Sequence, residues 1–264
     1  MKKACLPLLA VFCLALLMAL TAACGRLDKQ DPLTSKERAW LKEHGPVLVG
    51  ADLTYHPFSF VGADGQAEGI CAGLWRAMAK KLNFEVRFEA LNDDVELERL
   101  NSGALDSSTG MFPLGARKKT LDFSEPFYPV TAAIFVASRG HGVRGLEELS
   151  RIKVGAVRND SGAEILTKNN ITPVLFDSYK ACVQALGQNQ VQAVVMDDPV
   201  MLYWRNRLKM GDKISWAQGN AVVERNDLAM PVKKGNAVLL GIINKGLALM
   251  SGSELQRIKE RYLP

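Results

Sequence analysis

Four stretches of this 264-residue chain set reactive side chains just beyond short apolar runs. "VLVGAD" ends on Asp52, with Tyr55 three places later. "ALDSSTGM" carries Thr109 and Gly110, and Arg117 follows. "KVGAV" runs into Asn159, Ser161 and Gly162. "VQAVVM" leads to Asp197. An arginine offers a carboxylate a planar fork of donors. A Ser-Gly pair at a helix start adds backbone N–H groups for the same anion. An aspartate suits an ammonium, and a tyrosine supplies an aromatic face. An α-amino acid presents the groups that such a set would receive. Each residue also has a plainer reading. Arg117 could be solvated, Asp197 could cap a helix (as could Asp198 beside it), Tyr55 could be core, and Ser161 could be an N-cap. The convergence of the set favours the ligand reading.

The elements that must position these residues alternate. "SKERAWLKEHG" reads as a helix capped by Ser35, and "LTYHPFSFVGADGQAEG" as a loop with an Ala-Asp-Gly turn. "ICAGLWRAMAKKLNF" has helical apolar spacing, "EVRFEAL" alternates as a strand, and "DDVELERLNSG" is a helix with Gly103 just past its end. After "EPFYP" a longer strand, "VTAAIFVASRG", opens a second run: "KVGAV", the helix after Ser161, "PVLFD", a helix capped by Ser178, and "VQAVVMDDP". Strand then helix, twice over, predicts an α/β fold with mostly parallel strands in two units of about 90 residues. Ligands of such sheets bind beyond the carboxyl ends of the strands, where the four stretches end.

Apolar residues make up 48% of the chain, enough for a real core, and the formal charge is +5. No block of Lys and Arg with interleaved aromatics is present, so nucleic acid is not expected. Lys118 and Lys119 read as a solvated helix end. The three histidines are scattered among loop-like residues and there is no CxxC or HExxH, so neither a metal nor a cofactor is expected. The front, "MKKACLPLLAVFCLALLMALTAAC", has the basic start, apolar run and small-residue end of a secretory signal over residues 1–23. Cys24 after Thr21-Ala22-Ala23 resembles a bacterial lipobox, with Thr21 where leucine is usual. The expectation is a lipidated Cys24 and a polar tether over residues 24–34. An uncleaved membrane helix and plain secretion are the alternatives. All three place the rest of the chain outside the cytoplasmic membrane, in the periplasm or at the cell surface.

The stretches "VLVGADLTYHPFSFVGADGQAEGI", "LDSSTGMFPLGARKKTLDFSEPFYP" and "VQAVVMDDP" together resemble the type II periplasmic solute-binding proteins of bacteria. The resemblance is to family 3, with its amino-acid receptors of ABC transporters and the sensor lobes of hybrid histidine kinases. It implies a two-lobed Venus-flytrap joined by two crossing strands. Lobe 1 is expected over residues 35–128 and 228–264, and lobe 2 over residues 132–224. It puts Arg117 on the carboxylate-binding arginine, Asp197 on the amine-binding aspartate and Tyr55 on the aromatic cover. Asp52 falls where a ligand side chain can be met, Ser161 and Gly162 on the second-lobe carboxylate donors, and Gly110 on a first-lobe backbone contact. Where many members carry a hydroxyl five places before the arginine, this chain has Phe112, a loss that Thr109 could make good. Cys71 and Cys182 would lie on helices of different lobes, away from the cleft, and are expected to stay unpaired.

The expected function is binding of a small amino acid or related carboxylate by a monomer. The bound solute would pass to an ABC permease or be reported to a membrane sensor kinase. The alternatives are a dehydratase of aromatic amino-acid precursors on the same fold, or a sensory partner acting in trans. No cleft acid beyond Asp52 and Asp197 is expected, which argues against an enzyme.

Overall fold

The computed structural model describes residues 31–138, 142–219 and 221–263. The signal segment and Cys24 lie outside the described residues. Strands are numbered β1–β14 and helices α1–α10 in chain order. Helix α1 (Ser35–His44) starts one residue earlier than Ser35 would cap it. Thr34 is the cap: its hydroxyl accepts the Glu37 N–H, and Glu37 in turn accepts the Thr34 N–H at 2.6 Å. That reciprocal pair satisfies two donors that a helix start leaves open. Helix α2 (Ile70–Leu82) ends on Asn83 and α3 (Asp93–Ser102) on Gly103, both left-handed.

Two main sheets follow from the alternation. The first has the order β5 (Val86–Leu91), β1 (Val47–Asp52), β6 (Ser107–Ser108), β14 (Pro231–Lys233), β7 (Leu121–Phe123). The second runs β10 (Val174–Phe176), β9 (Val154–Val157), β11 (Ala193–Asp197), β8 (Tyr128–Ala137), β12 (Ile214–Trp216), and β13 (Val222–Leu228) also pairs with β8. Three strands in each are mutually parallel: β5-β1-β6 and β10-β9-β11. The other pairings are antiparallel: β14 with β6 and β7, and β8 with β11, β12 and β13. Strand β8 leads out and β13 leads back, so they lie antiparallel, from Tyr128↔Leu228 to Ala133↔Val222. The stretch around His56 is not a loop. It forms a small antiparallel sheet of β2 (Thr54–Tyr55), β3 (Ser59–Val61) and β4 (Ala67–Glu68).

The remaining helices are α4 (Arg117–Thr120), α5 (Leu146–Leu149), α6 (Ser161–Lys168), α7 (Tyr179–Gly187), α8 (Asp198–Arg207), α9 (Ala237–Ala248) and α10 (Gly252–Tyr262). The central strands β8, β9 and β11 of the second sheet are covered on both faces, which is why they are almost wholly apolar. On β11, Ala193 and Val195 join one apolar cluster with Ile165 and Leu166 of α6, whereas Val194 and Met196 join another with Cys182 and Val183 of α7. On β8, Ala132, Ile134 and Val136 take the first side and Ala133, Phe135 and Ala137 the second. The two-residue period of a strand therefore sends Asp197, two places after Val195, toward α6.

Cys71 and Cys182 are free and buried, on α2 and α7. Cys71 is nearer the site than expected, within 3.7 Å of where a Cβ on Gly110 would lie.

Candidate functional site

Residues of both lobes line a cavity of about 1100 Å³. The first lobe contributes Asp52 at the end of β1, Tyr55 on β2, Thr109, Gly110 and Phe112 beyond β6, and Arg117 at the start of α4. The second contributes Asn159, Asp160 and Ser161 beyond β9, and Tyr179 at the start of α7. Seven of the nine residues expected from the sequence thus share one cavity. Asp197 and Gly162 lie behind its wall.

Arg117 is half-buried, and one arm of its guanidinium donates to the Phe112 carbonyl at 3.3 Å. Among the described residues it makes no ion pair. The fork therefore faces the cavity with its charge uncompensated by a neighbouring carboxylate. Phe112 is buried and adds an apolar surface beside it. Thr109 does not replace the missing hydroxyl donor. Its hydroxyl donates to Ser59 Oγ at 3.0 Å, its N–H donates to the Gly50 carbonyl at 2.8 Å, and it is only 1% exposed. The Gly110 N–H is likewise engaged, by Ser108 Oγ at 3.1 Å. What Gly110 supplies is space, because a Cβ there would sit 2.9 Å from Phe127 Cζ.

On the second-lobe side, Asp160 occupies the N-cap position of α6 with no side-chain capping bond, and Ser161 is its first helical residue. Gly162 also answers a packing demand: a Cβ there would clash with the Val195 carbonyl oxygen, so only glycine lets α6 press onto β11.

Asp197 is the larger surprise. It is 2% exposed, and its two oxygens meet hydroxyls of the protein itself. Tyr55 reaches across from the first lobe and donates to Oδ2 at 2.6 Å, and Ser161 donates to Oδ1 at 3.5 Å. Burial raises the Asp197 carboxyl to about 6; the hydroxyls of Tyr55 and Ser161 oppose the rise, while Glu224 and Asp198 add to it. The Tyr55 phenol is pushed well above its ordinary value, first by burial and then by the Asp197 charge. It therefore stays protonated and donates. The Tyr55 ring packs 5.0 Å from Phe58 and 5.9 Å from Tyr179. A second contact joins the lobes beside it. His56 stacks on Tyr203 at 4.9 Å and meets Trp204 edge-on at 5.0 Å, and burial lowers its pKa.

The cavity also holds acids that the sequence reading passed over: Asp94, Glu96, Asp160 and Glu164. The cleft therefore carries carboxylates beyond Asp52 and Asp197, contrary to expectation. Asp94 and Glu96 follow β5, and Asp160 stands beside Asn159 and Ser161 beyond β9, so the ends of these strands carry the signal for them. Tyr179 gives no such signal. Its hydroxyl reaches Asp160 Oδ1 at 3.1 Å only because α7 packs beside β9.

Known proteins resemble this chain in sequence and fold. The L-cystine-binding protein TcyJ of Escherichia coli K12 is 27% identical over 228 residues, which cover 84% of each chain. A histidine kinase sensor domain similar to periplasmic binding proteins superposes with a TM-score of 0.75 at 23% identity, covering 83% of this chain and 96% of that one. An ancestral arginine-binding protein bound to glutamine superposes with a TM-score of 0.70 at 30% identity, covering 83% and 97%. Residues 47–264 match the model of the bacterial extracellular solute-binding proteins, family 3, and the chain belongs to that family.

Proposed function

We propose that this protein binds a small amino acid or related carboxylate in the cavity between its lobes, with Arg117 holding the carboxylate. The observation that carries this reading is a half-buried arginine with no ion-pair partner among the described residues, facing a cavity lined from both lobes. Tyr55 supplies the aromatic face, and Phe112 the apolar surface beside the anchor. Asp52 lies where a ligand side chain would be met. The solute is delivered to an ABC permease or reported to a membrane sensor kinase, and the protein works as a monomer. The relative that binds L-cystine supports binding of a small amino acid or related carboxylate. Lipid on Cys24 holds the protein to the membrane, which intact-mass spectrometry of native protein tests: retention of residues before Cys24 rules it out.

Calorimetry with a solute found by melting-curve screening tests the anchor. Arg117→Ala is expected to weaken binding at least about tenfold, because a charge-assisted hydrogen bond contributes about 1.5 to 3 kcal/mol and 1.4 kcal/mol is one decade. Arg117→Lys is expected to restore little, since a point charge cannot reproduce the fork. Unchanged affinity in Arg117→Ala refutes the assignment.

A further inference from the structure

We propose that the Tyr55 hydroxyl fills the place on Asp197 that an α-ammonium would take, so that the cavity selects carboxylates with no ammonium on the adjoining carbon. The inference rests on the solute-binding reading and narrows its ligand class. Three observations carry it. Tyr55 and Ser161 line the cavity and Asp197 does not, so these two side chains stand between a bound solute and that carboxylate. The hydroxyl donates to Asp197 Oδ2 at 2.6 Å, within the short range of a bond to a charged acceptor. The other oxygen turns toward Ser161, also a residue of this chain.

An ammonium could reach Asp197 Oδ2 only by displacing the Tyr55 hydroxyl, and Oδ1 only by displacing that of Ser161. The phenol would then lose its acceptor while its ring stayed packed on Phe58 and Tyr179, and a buried donor left unsatisfied is disfavoured. A carboxylate without that ammonium meets Arg117 and leaves the Tyr55–Asp197 bond whole. Burial without a cation beside it is also what raises the Asp197 carboxyl to about 6. Tyr55 is thus a specificity-determining residue that closes the site with its own hydroxyl.

The test has a ligand-free arm and a ligand arm, both on the mature chain. In the first, melting temperatures are compared for the parent, Tyr55→Phe, Asp197→Asn and the double variant at pH 7.5. If the hydroxyl bonds Asp197, the shifts of the single variants do not add; additive shifts overturn the proposal. In the second, L-phenylalanine, L-leucine, L-glutamine and L-arginine are each titrated against the matched acid lacking the α-ammonium: 3-phenylpropanoate, 4-methylpentanoate, 4-carbamoylbutanoate and 5-guanidinopentanoate. The tightest pair is expected to favour the matched acid at least tenfold in the parent, and Tyr55→Phe is expected to shrink that ratio at least tenfold. An amino acid that binds the parent as well or better, with a ratio unmoved by Tyr55→Phe, overturns the proposal and leaves solute binding standing. If no member of either set binds, solute binding in this cavity fails and takes the ligand class with it.

Discussion

Replacing Asp197 by asparagine should change how stability depends on pH. The buried carboxyl releases its proton at about 6, against an ordinary 3.8. The folded state therefore holds this proton more tightly than the unfolded chain does. The stabilisation is complete below about pH 3.8 and is lost as pH rises through about 6. At about 1.36 kcal/mol per decade, the rise from 3.8 to about 6 corresponds to a loss on the order of 3 kcal/mol. Asparagine keeps an oxygen for Tyr55 and has no charge to bury. Asp197→Asn should therefore match the parent near pH 4 and exceed it above pH 7, by roughly 6 to 12 °C in Tm for a chain of this size. His56 pulls the other way. Burial favours its neutral form, so its contribution is lost as pH falls through and below the ordinary 6.5. That term is common to both proteins and cancels in their difference. Differential scanning calorimetry from pH 4 to pH 8 reads the two curves. Curves that stay parallel, or a variant that falls further below the parent as pH rises, would refute the argument that Asp197 is buried without a compensating cation.

Gly162→Ala should lower Tm by roughly 2 to 12 °C, because overpacking against a backbone oxygen costs about 1 to 3 kcal/mol; an unchanged Tm would mean that α6 can move off β11. Cys71 and Cys182 should resist a thiol reagent in the native protein and both react after denaturation, since both are buried and burial holds their thiols well above the usual range. Fast native labelling of either would contradict its place in the core. His56→Ala should loosen the contact between the lobes and raise the radius of gyration of the unliganded protein in small-angle scattering, whereas an unchanged radius would make the stack on Tyr203 and Trp204 incidental.

Much of this protein is local, and a linear reading recovers it. The periodicity of α2, the left-handed end of α3 at Gly103, the Ser178 cap of α7 and the apolar runs of β9 and β11 each depend on residues within a few places of one another. The placement of Asp52, Tyr55, Thr109, Gly110, Arg117 and Ser161 around one cavity follows from the same information, because strand ends of an α/β sheet converge. The local reading erred where packing, not neighbouring sequence, set the outcome. The stretch around His56 pairs into a small sheet because β3 finds partners on both sides, and β8 runs antiparallel because the return strand lies against it. The decisive feature of the site is of the same kind. Tyr55 and Asp197 are 142 positions apart, and the residue types alone suggest an aromatic cover and an ammonium receptor. Only the docking of the lobes brings the phenol to the carboxylate, and only the depth of β11 decides that Asp197 is buried while Arg117 keeps its face to the cavity. Side-chain type is a property of the sequence, but whether a donor or a charge still has a partner to find depends on every group that packing sets within about 3 Å of it.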